Sequence, residues 1–156
     1  MTRIELRVLK WIAEHKVWQK WGAVHTAIYR ATGGRVGHSS GAITNLLLTT
    51  TGRKTGQPRT VPLSYICDGA DHVIVASNGG ADRDPIWWLN LEANPAATIQ
   101  IEGTTLPVIA REAGDSDRER LWPLLEKGNF FYKRHRANTE RHIPIVILST
   151  DGRDRS

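Results

Sequence analysis

The 156-residue chain has one cysteine, one methionine and two phenylalanines, and no run of 18 apolar residues. A lone Cys67 excludes an internal disulfide framework, and without a Cys cluster or a His-Glu-x-x-His pair no structural or catalytic zinc, or other metal, is expected. The missing apolar run excludes a bilayer-spanning helix. The opening Met1-Thr2-Arg3-Ile4-Glu5-Leu6-Arg7 lacks the continuous apolar stretch of a secretory signal, so a cytoplasmic location is expected. Internal repeats and low-complexity tracts are absent, as are the Rossmann fingerprint and the Walker loop. The six histidines (His15, His25, His38, His72, His135, His142) are scattered singly. Neither a Ser/His/Asp set nor a carboxylate pair is suggested by spacing. Such poverty in side-chain catalysts fits a cofactor that carries the hard chemistry.

What is present describes one ordinary globular domain: 40% hydrophobic and 24% charged residues, with six Trp and three Tyr to fill a core. The formal charge of +5 implies attraction to anions without naming which. Residues 3 to 31 place Leu6, Leu9, Ala13, Val17, Trp21, Val24 and Ile28 at helical spacing, and Gly33-Gly34 ends that stripe before a flexible connection to Gly41. From Ala42 the period changes to short β-rich runs. Strands are predicted near 42–51, 60–67, 72–77, 98–102, 106–111 and 143–148, with Cys67 to Asp71 forming a turn. Asp84-Pro85 is expected to cap a short helix that Asn94-Pro95 stops, and Asp115 to cap another. The predicted fold is mainly β: an antiparallel barrel of about six strands, an N-terminal helix and short connecting helices.

Four constellations stand out. In Leu48 to Arg59 a strand ends in a hydroxyl-rich turn that holds Arg53, Lys54 and Arg59 without an acid, and Gly52 and Gly56 let backbone N–H groups approach a ligand; this suits phosphate, or is a solvated hairpin loop. Val73 to Gly80 is a strand running into a small polar turn, where Ser77 faces a planar ligand or the turn is an ordinary one. In Asp84 to Pro95 the adjacent Trp87 and Trp88 diverge by about 100° on a helix, so one of them meets a ligand, a partner or the N-terminal helix, unless both pack on the barrel. Phe130 to Arg136 reads as an aromatic–basic loop, either a substrate cover in which Tyr132 lends a proton or hydrogen bond, or plain surface.

Taken together and in order, Thr50 to Arg59, Pro62-Leu63, Ala76 to Gly80, Pro85 to Leu91 and Ala93-Asn94-Pro95 resemble the actinobacterial deazaflavin-dependent nitroreductase family, over about Gly41 to Leu148. The resemblance implies a split β-barrel of the flavin-reductase type that binds coenzyme F-420, an 8-hydroxy-5-deazaflavin, with FMN as the lesser alternative. It implies an oxidoreductase passing hydride from the reduced coenzyme to a quinone, enone or nitroaromatic. Carried over by position, Arg53, Lys54, Thr55 and Arg59 bind the coenzyme's phosphate and oligoglutamate tail. Thr60, Val61, Pro62 and Leu63 run along it, and Ser77, Asn78, Trp87, Trp88 and Asn90 complete its site. Tyr132 stands over the reacting ring, and Ser77 or Tyr132 stabilises charge on the acceptor. The family commonly carries Lys at the position of Asn78, and His within the segment that here reads Trp88-Leu89-Asn90.

The domain plan is an amphipathic extension over 1–36, a deazaflavin-binding barrel over 37–150 and a polar tail over 151–156. The basic, Trp-bearing extension suits either peripheral contact with the inner face of an anionic membrane or docking on its own barrel. The partners expected are a small-molecule acceptor and, as a homodimer, a second copy; a monomer is the alternative, and nucleic acid is not expected because the bases are split among separate segments. The competing function is a non-catalytic carrier of coenzyme F-420, a related flavin or haem.

Overall fold

The computed structural model describes residues 39–40 and 43–150, so the expected N-terminal helix over 1–36 and the polar tail over 151–156 lie outside the described residues. Eight strands make one sheet: β1 (Ser39–Ser40), β2 (Ile43–Thr51), β3 (Pro58–Ser64), β4 (Ile66–Asp68), β5 (Asp71–Val75), β6 (Ala96–Ile101), β7 (Thr104–Glu112) and β8 (Ile145–Ser149). Three helices interrupt them: α1 (Ile86–Ala93), α2 (Asp115–Gly128) and α3 (Phe131–Ala137). The path runs β1-β2-β6-β7-β8-β5-β4, with β3 on β2, and every pairing is antiparallel. Five of the six expected strands are found as single strands, and the one expected over 60–67 is divided in two.

The difference lies at Tyr65. The run expected as one strand over 60–67 breaks there, and its halves pair with opposite ends of the sheet, β3 with β2 and β4 with β5. The Tyr65 N–H donates to the Thr44 carbonyl at 3.1 Å, holding the break against the start of β2. One bent segment thus joins both ends of the strand order, which closes the sheet into a barrel.

Strand alternation builds two apolar cores. On β5, Ile74 joins Ala76 in one core, while Val73 and Val75 join the other; on β8, Val146 and Leu148 face the first and Ile145 and Ile147 the second. Burial on both faces explains why the last strand reads as an unbroken apolar run. The first core takes in α1, through Trp87, Trp88 and Leu91. The second is covered by α2 and α3, through Leu121, Trp122, Leu125 and Tyr132.

Three local expectations are corrected. Phe130 to Arg136 is not a loop: Phe131–Ala137 is helical, with Phe130 as its N-cap. The Asp84 carboxylate does not cap α1, whose N-cap is Pro85; it pairs with the Arg141 guanidinium, a stronger, charge-assisted partner. Asp115 is the first residue of α2 rather than its cap, which is Gly114, so its charge acts on the helix dipole. The turn after Cys67 forms as expected, with Gly69 at φ 63. Arg120 fixes that turn to α2 by a two-pronged pair with Asp68, 2.8 Å on each oxygen.

Leu48 is fully buried in the first core. Leu48→Ala is expected to cost about 2–5 kcal/mol in urea unfolding. Cys67→Ser, at an exposed thiol, is expected to change stability by less than about 0.5 kcal/mol.

Candidate functional site

A cleft of about 710 Å³ opens between the β3 strand, the turn after β5, the start of α1 and the α2–α3 junction. Its size suits a planar, drug-sized ligand. Of the residues singled out from the sequence, Pro62, Leu63, Ser77, Asn78, Trp87 and Tyr132 line it. Asn45, Ser64, Val75, Gly79, Pro85, Asn129 and His135 line it too and were not anticipated.

The polar wall is held from both sides. The Ser77 hydroxyl lies 3.0 Å from His135 Nδ1. Behind it, Arg141 donates to the carbonyls of Ala76 at 3.2 Å, Ser77 at 3.1 Å and Ala81 at 3.0 Å while pairing with Asp84. One guanidinium therefore pins the whole turn after β5. Gly80 has φ +80, and a Cβ on it would stand 2.7 Å from the His135 carbonyl oxygen, so only glycine lets this turn approach α3.

At the opposite wall Asn129 Nδ2 donates to Ser64 Oγ at 3.1 Å, and its Oδ1 accepts the Phe131 N–H at 3.1 Å. The Tyr132 hydroxyl is hydrogen-bonded to Ser64 and Asn129, and burial pushes its pKa up to about 12. It is a neutral hydrogen-bonding group across the physiological range. The imidazole of His135 is held below its usual value, first by burial and then by the neighbouring Arg134 charge.

The other anticipated residues lie outside the cleft. Arg53, Lys54, Thr55 and Arg59 are exposed on the β2–β3 hairpin, closed by the Gly52 N–H to Gln57 carbonyl bond at 2.8 Å, and among the described residues no acid pairs with the three cations. Thr60 and Val61 are half-buried on β3, with Thr60 Oγ1 2.8 Å from Thr49 Oγ1. Trp88 is buried in the first core, as is Trp87 at its edge on the cleft. Both tryptophans thus pack on the barrel, and Trp87 alone of the two also borders the cleft.

Asn90 is 1% exposed and turns inward. Its Nδ2 donates to Thr50 Oγ1 at 3.1 Å, and its Oδ1 accepts the Arg53 backbone N–H at 3.1 Å. Trp87 and Asn90, three apart on α1, share a helix face. The cationic hairpin is therefore anchored one helical turn from the cleft.

The family model described as "F420H(2)-dependent quinone reductase" matches residues 21–150. The chain belongs to that family. An F420H(2)-dependent quinone reductase of Mycobacterium tuberculosis is 42% identical over 146 residues, 91% of this chain and 97% of its own length. A solved F420-H2 dependent reductase (FDR-A) superposes with a TM-score of 0.63 at 36% identity, covering 67% of this chain and 93% of that one. A second solved chain, described as a domain-swapped dimer, reaches 0.66 at 30% identity over 90% and 98%. The split barrel expected from the resemblance is the fold of this quinone reductase family, and Tyr65 is where this member's barrel closes. No described helix is long and apolar enough to cross a membrane, and no three metal-ligating side chains cluster among the described residues.

The unanticipated lining residues had one readable signal. His135 stands three residues after Tyr132, on the same face once 131–137 is helical. Ser64, Asn129 and Arg141 act through contacts 57 to 65 residues apart in sequence, which no local pattern displays.

A difference titration of phenolate absorbance, wild type minus Tyr132→Phe, is expected to rise with a midpoint above pH 11. A midpoint at the ordinary tyrosine value of about 10 contradicts the buried, hydrogen-bonded phenol.

Proposed function

We propose that this chain passes hydride from reduced coenzyme F-420 to a small planar acceptor, a quinone first, with enones and nitroaromatics as further acceptors of the same shape. The observation that carries the reading is the pairing of an apolar cleft edged by Trp87 with three acid-free cations one turn of α1 away. A ligand with a flat ring system at one end and a phosphate and carboxylate tail at the other matches both halves. The residues present fit that coenzyme: Arg53, Lys54, Thr55 and Arg59 would hold its tail, and Pro62, Leu63 and Trp87 its ring, with Thr60 and Val61 on β3 linking the two. When bound, the coenzyme supplies a two-electron hydride donor.

This chain supplies geometry and hydrogen bonds. Pro62, Leu63 and Trp87 exclude water from the ring face, and Trp88 supports Trp87 from the core. Asn90 orients the hairpin that takes the tail, and Asn78 sits beside the cleft mouth with its Nδ2 donating to the Arg83 carbonyl at 3.0 Å. Ser77 and Tyr132 present hydroxyls to the acceptor side, where fixed donors stabilise charge developing on an acceptor oxygen.

The domain plan belongs to the same proposal: residues 1–36 as an extension making peripheral membrane contact, 37–150 as the coenzyme-binding barrel and 151–156 as a tail. The seven bases against two acids of the extension and its three tryptophans support that contact. A homodimer is proposed from the description of the second solved relative. A cytoplasmic location follows from the use of a soluble reduced coenzyme.

Fluorescence titration with coenzyme F-420, followed by reduced coenzyme plus menadione, tests the reading. Saturable binding with oxidation of the deazaflavin is expected; absence of binding overturns the assignment, and binding without oxidation of any acceptor favours a carrier. Replacing Arg53 and Lys54 together by Ala is expected to weaken binding by roughly tenfold per charge removed, about 1.4 kcal/mol each, and to flatten its salt dependence.

A further inference from the structure

We propose that His135 and Ser77 form a two-residue relay that delivers the proton taken up by the reduced acceptor, Ser77 touching the acceptor and His135 acting through it as a positioning residue. The relay rests on the reductase reading above and extends it to the second half of the reaction. A quinone becomes a hydroquinone by gaining one hydride and one proton. The overall exchange balances in hydrogen, but hydride and proton travel separately, so some group beside the acceptor oxygen must place the proton there.

Among the residues lining the cleft, Tyr132 and His135 are the two whose side chains titrate. Tyr132 is a poor source, because its hydroxyl is committed to Ser64 and Asn129 and its pKa is pushed up to about 12. His135 is half-buried, within reach of solvent, and its Nδ1 lies 3.0 Å from Ser77 Oγ.

The protonation state and tautomer of His135 together decide what the cleft offers, and only the doubly protonated ring always carries a proton on Nδ1. When Nδ1 carries a proton it donates to Ser77 Oγ, and the serine proton is left to point at a ligand. When Nδ1 is bare it accepts the serine proton, and the hydroxyl presents only lone pairs. In the productive step the acceptor oxygen takes the Ser77 proton as hydride reaches the acceptor. Ser77 Oγ takes the Nδ1 proton, and the O–H bond it lost is remade. His135 ends neutral and regains its proton from water, so one quinone, one hydride and one proton give one hydroquinone.

Both side chains stand on fixed supports. The Ser77 carbonyl is held by Arg141, itself paired with Asp84, and the Gly80 turn lies directly on the His135 and Asn138 positions of α3. The groups facing His135 are few. Its own helix brings Arg134 and the edge of the Tyr132 ring at 6.0 Å, with Phe131 stacked at 6.5 Å. The turn from Ser77 to Gly80 brings no charge, and Arg141 is the charged group behind it. Burial and Arg134 both favour the neutral imidazole, so the relay is loaded on the acid side of the ordinary histidine value of 6.5.

The test is the single-turnover rate of coenzyme oxidation by menadione from pH 5 to 8, set beside an NMR titration of His135 in the ligand-free protein. In wild type the rate is expected to fall as pH rises through the NMR midpoint. His135→Asn keeps an amide near the Nδ1 position for Ser77 but does not titrate, and Ser77→Ala removes the bridging oxygen. Both are expected to lose that pH limb and to run about 10²-fold slower at pH 5.5; an unchanged coenzyme Kd in His135→Asn and an unchanged thermal midpoint in Ser77→Ala are the checks on folding. An active wild type whose limb survives in His135→Asn, or an NMR midpoint unrelated to the kinetic one, overturns the relay alone. A wild-type protein that neither binds nor oxidises the coenzyme overturns the reductase reading and the relay with it.

Discussion

The buried side-chain amide of Asn90 is the joint on which the site depends. Both of its ends are engaged within the protein: Nδ2 donates to Thr50, the last buried residue of β2, and Oδ1 accepts from the backbone N–H of Arg53 just beyond it. A buried amide with both ends satisfied fixes position more than it adds net stability, because the alternative is an unpaired polar group in the core. Here it locks α1 to the root of the cationic hairpin. The cleft edged by Trp87 and the exposed charges of Arg53, Lys54 and Arg59 are thereby held in one frame.

Barrel closure gives the other wall. Because β3 and β4 meet at Tyr65, Ser64 is delivered to the cleft at the bend, where Asn129 and Tyr132 engage it. Trp122 helps hold the outer helices together, with the Arg136 guanidinium 4.5 Å from its ring and Arg118 at 5.8 Å. Arg136 also pairs with Glu126 on α2. Through these contacts α3 is pressed onto the turn after β5, and His135 meets Ser77. A side chain from each end of the strand order thus faces the same space.

Local chemistry explains which parts were legible in the sequence. The hairpin 52–57 announces itself by Gly52 and Gly56, the β4–β5 turn by Gly69, and the paired strands by alternation that survives wherever one face is buried. The break at Tyr65 has no such mark, since Ser64-Tyr65-Ile66 contains no glycine, proline, asparagine or aspartate and continues the β pattern. α3 was hidden for a related reason: of its seven residues only Tyr132 is buried, so it carries no apolar stripe, and a helix this short is stable only through its tertiary contacts. The resemblance assigns Asn90 to the coenzyme's site, and in the structure its amide joins Thr50 and the Arg53 backbone, contacts 40 and 37 residues apart that no local pattern displays.

We infer that Asn90 couples the cleft to the cationic hairpin through its bonds to Thr50 and the Arg53 backbone. This coupling is tested most directly by measuring the affinity of Asn90→Ala for coenzyme F-420 and for the bare 8-hydroxy-5-deazaflavin ring that lacks the tail. The account predicts about tenfold weaker binding of the coenzyme and unchanged binding of the bare ring, roughly 1.4 kcal/mol confined to the tail. Equal losses for both ligands, or no loss for either, contradict it.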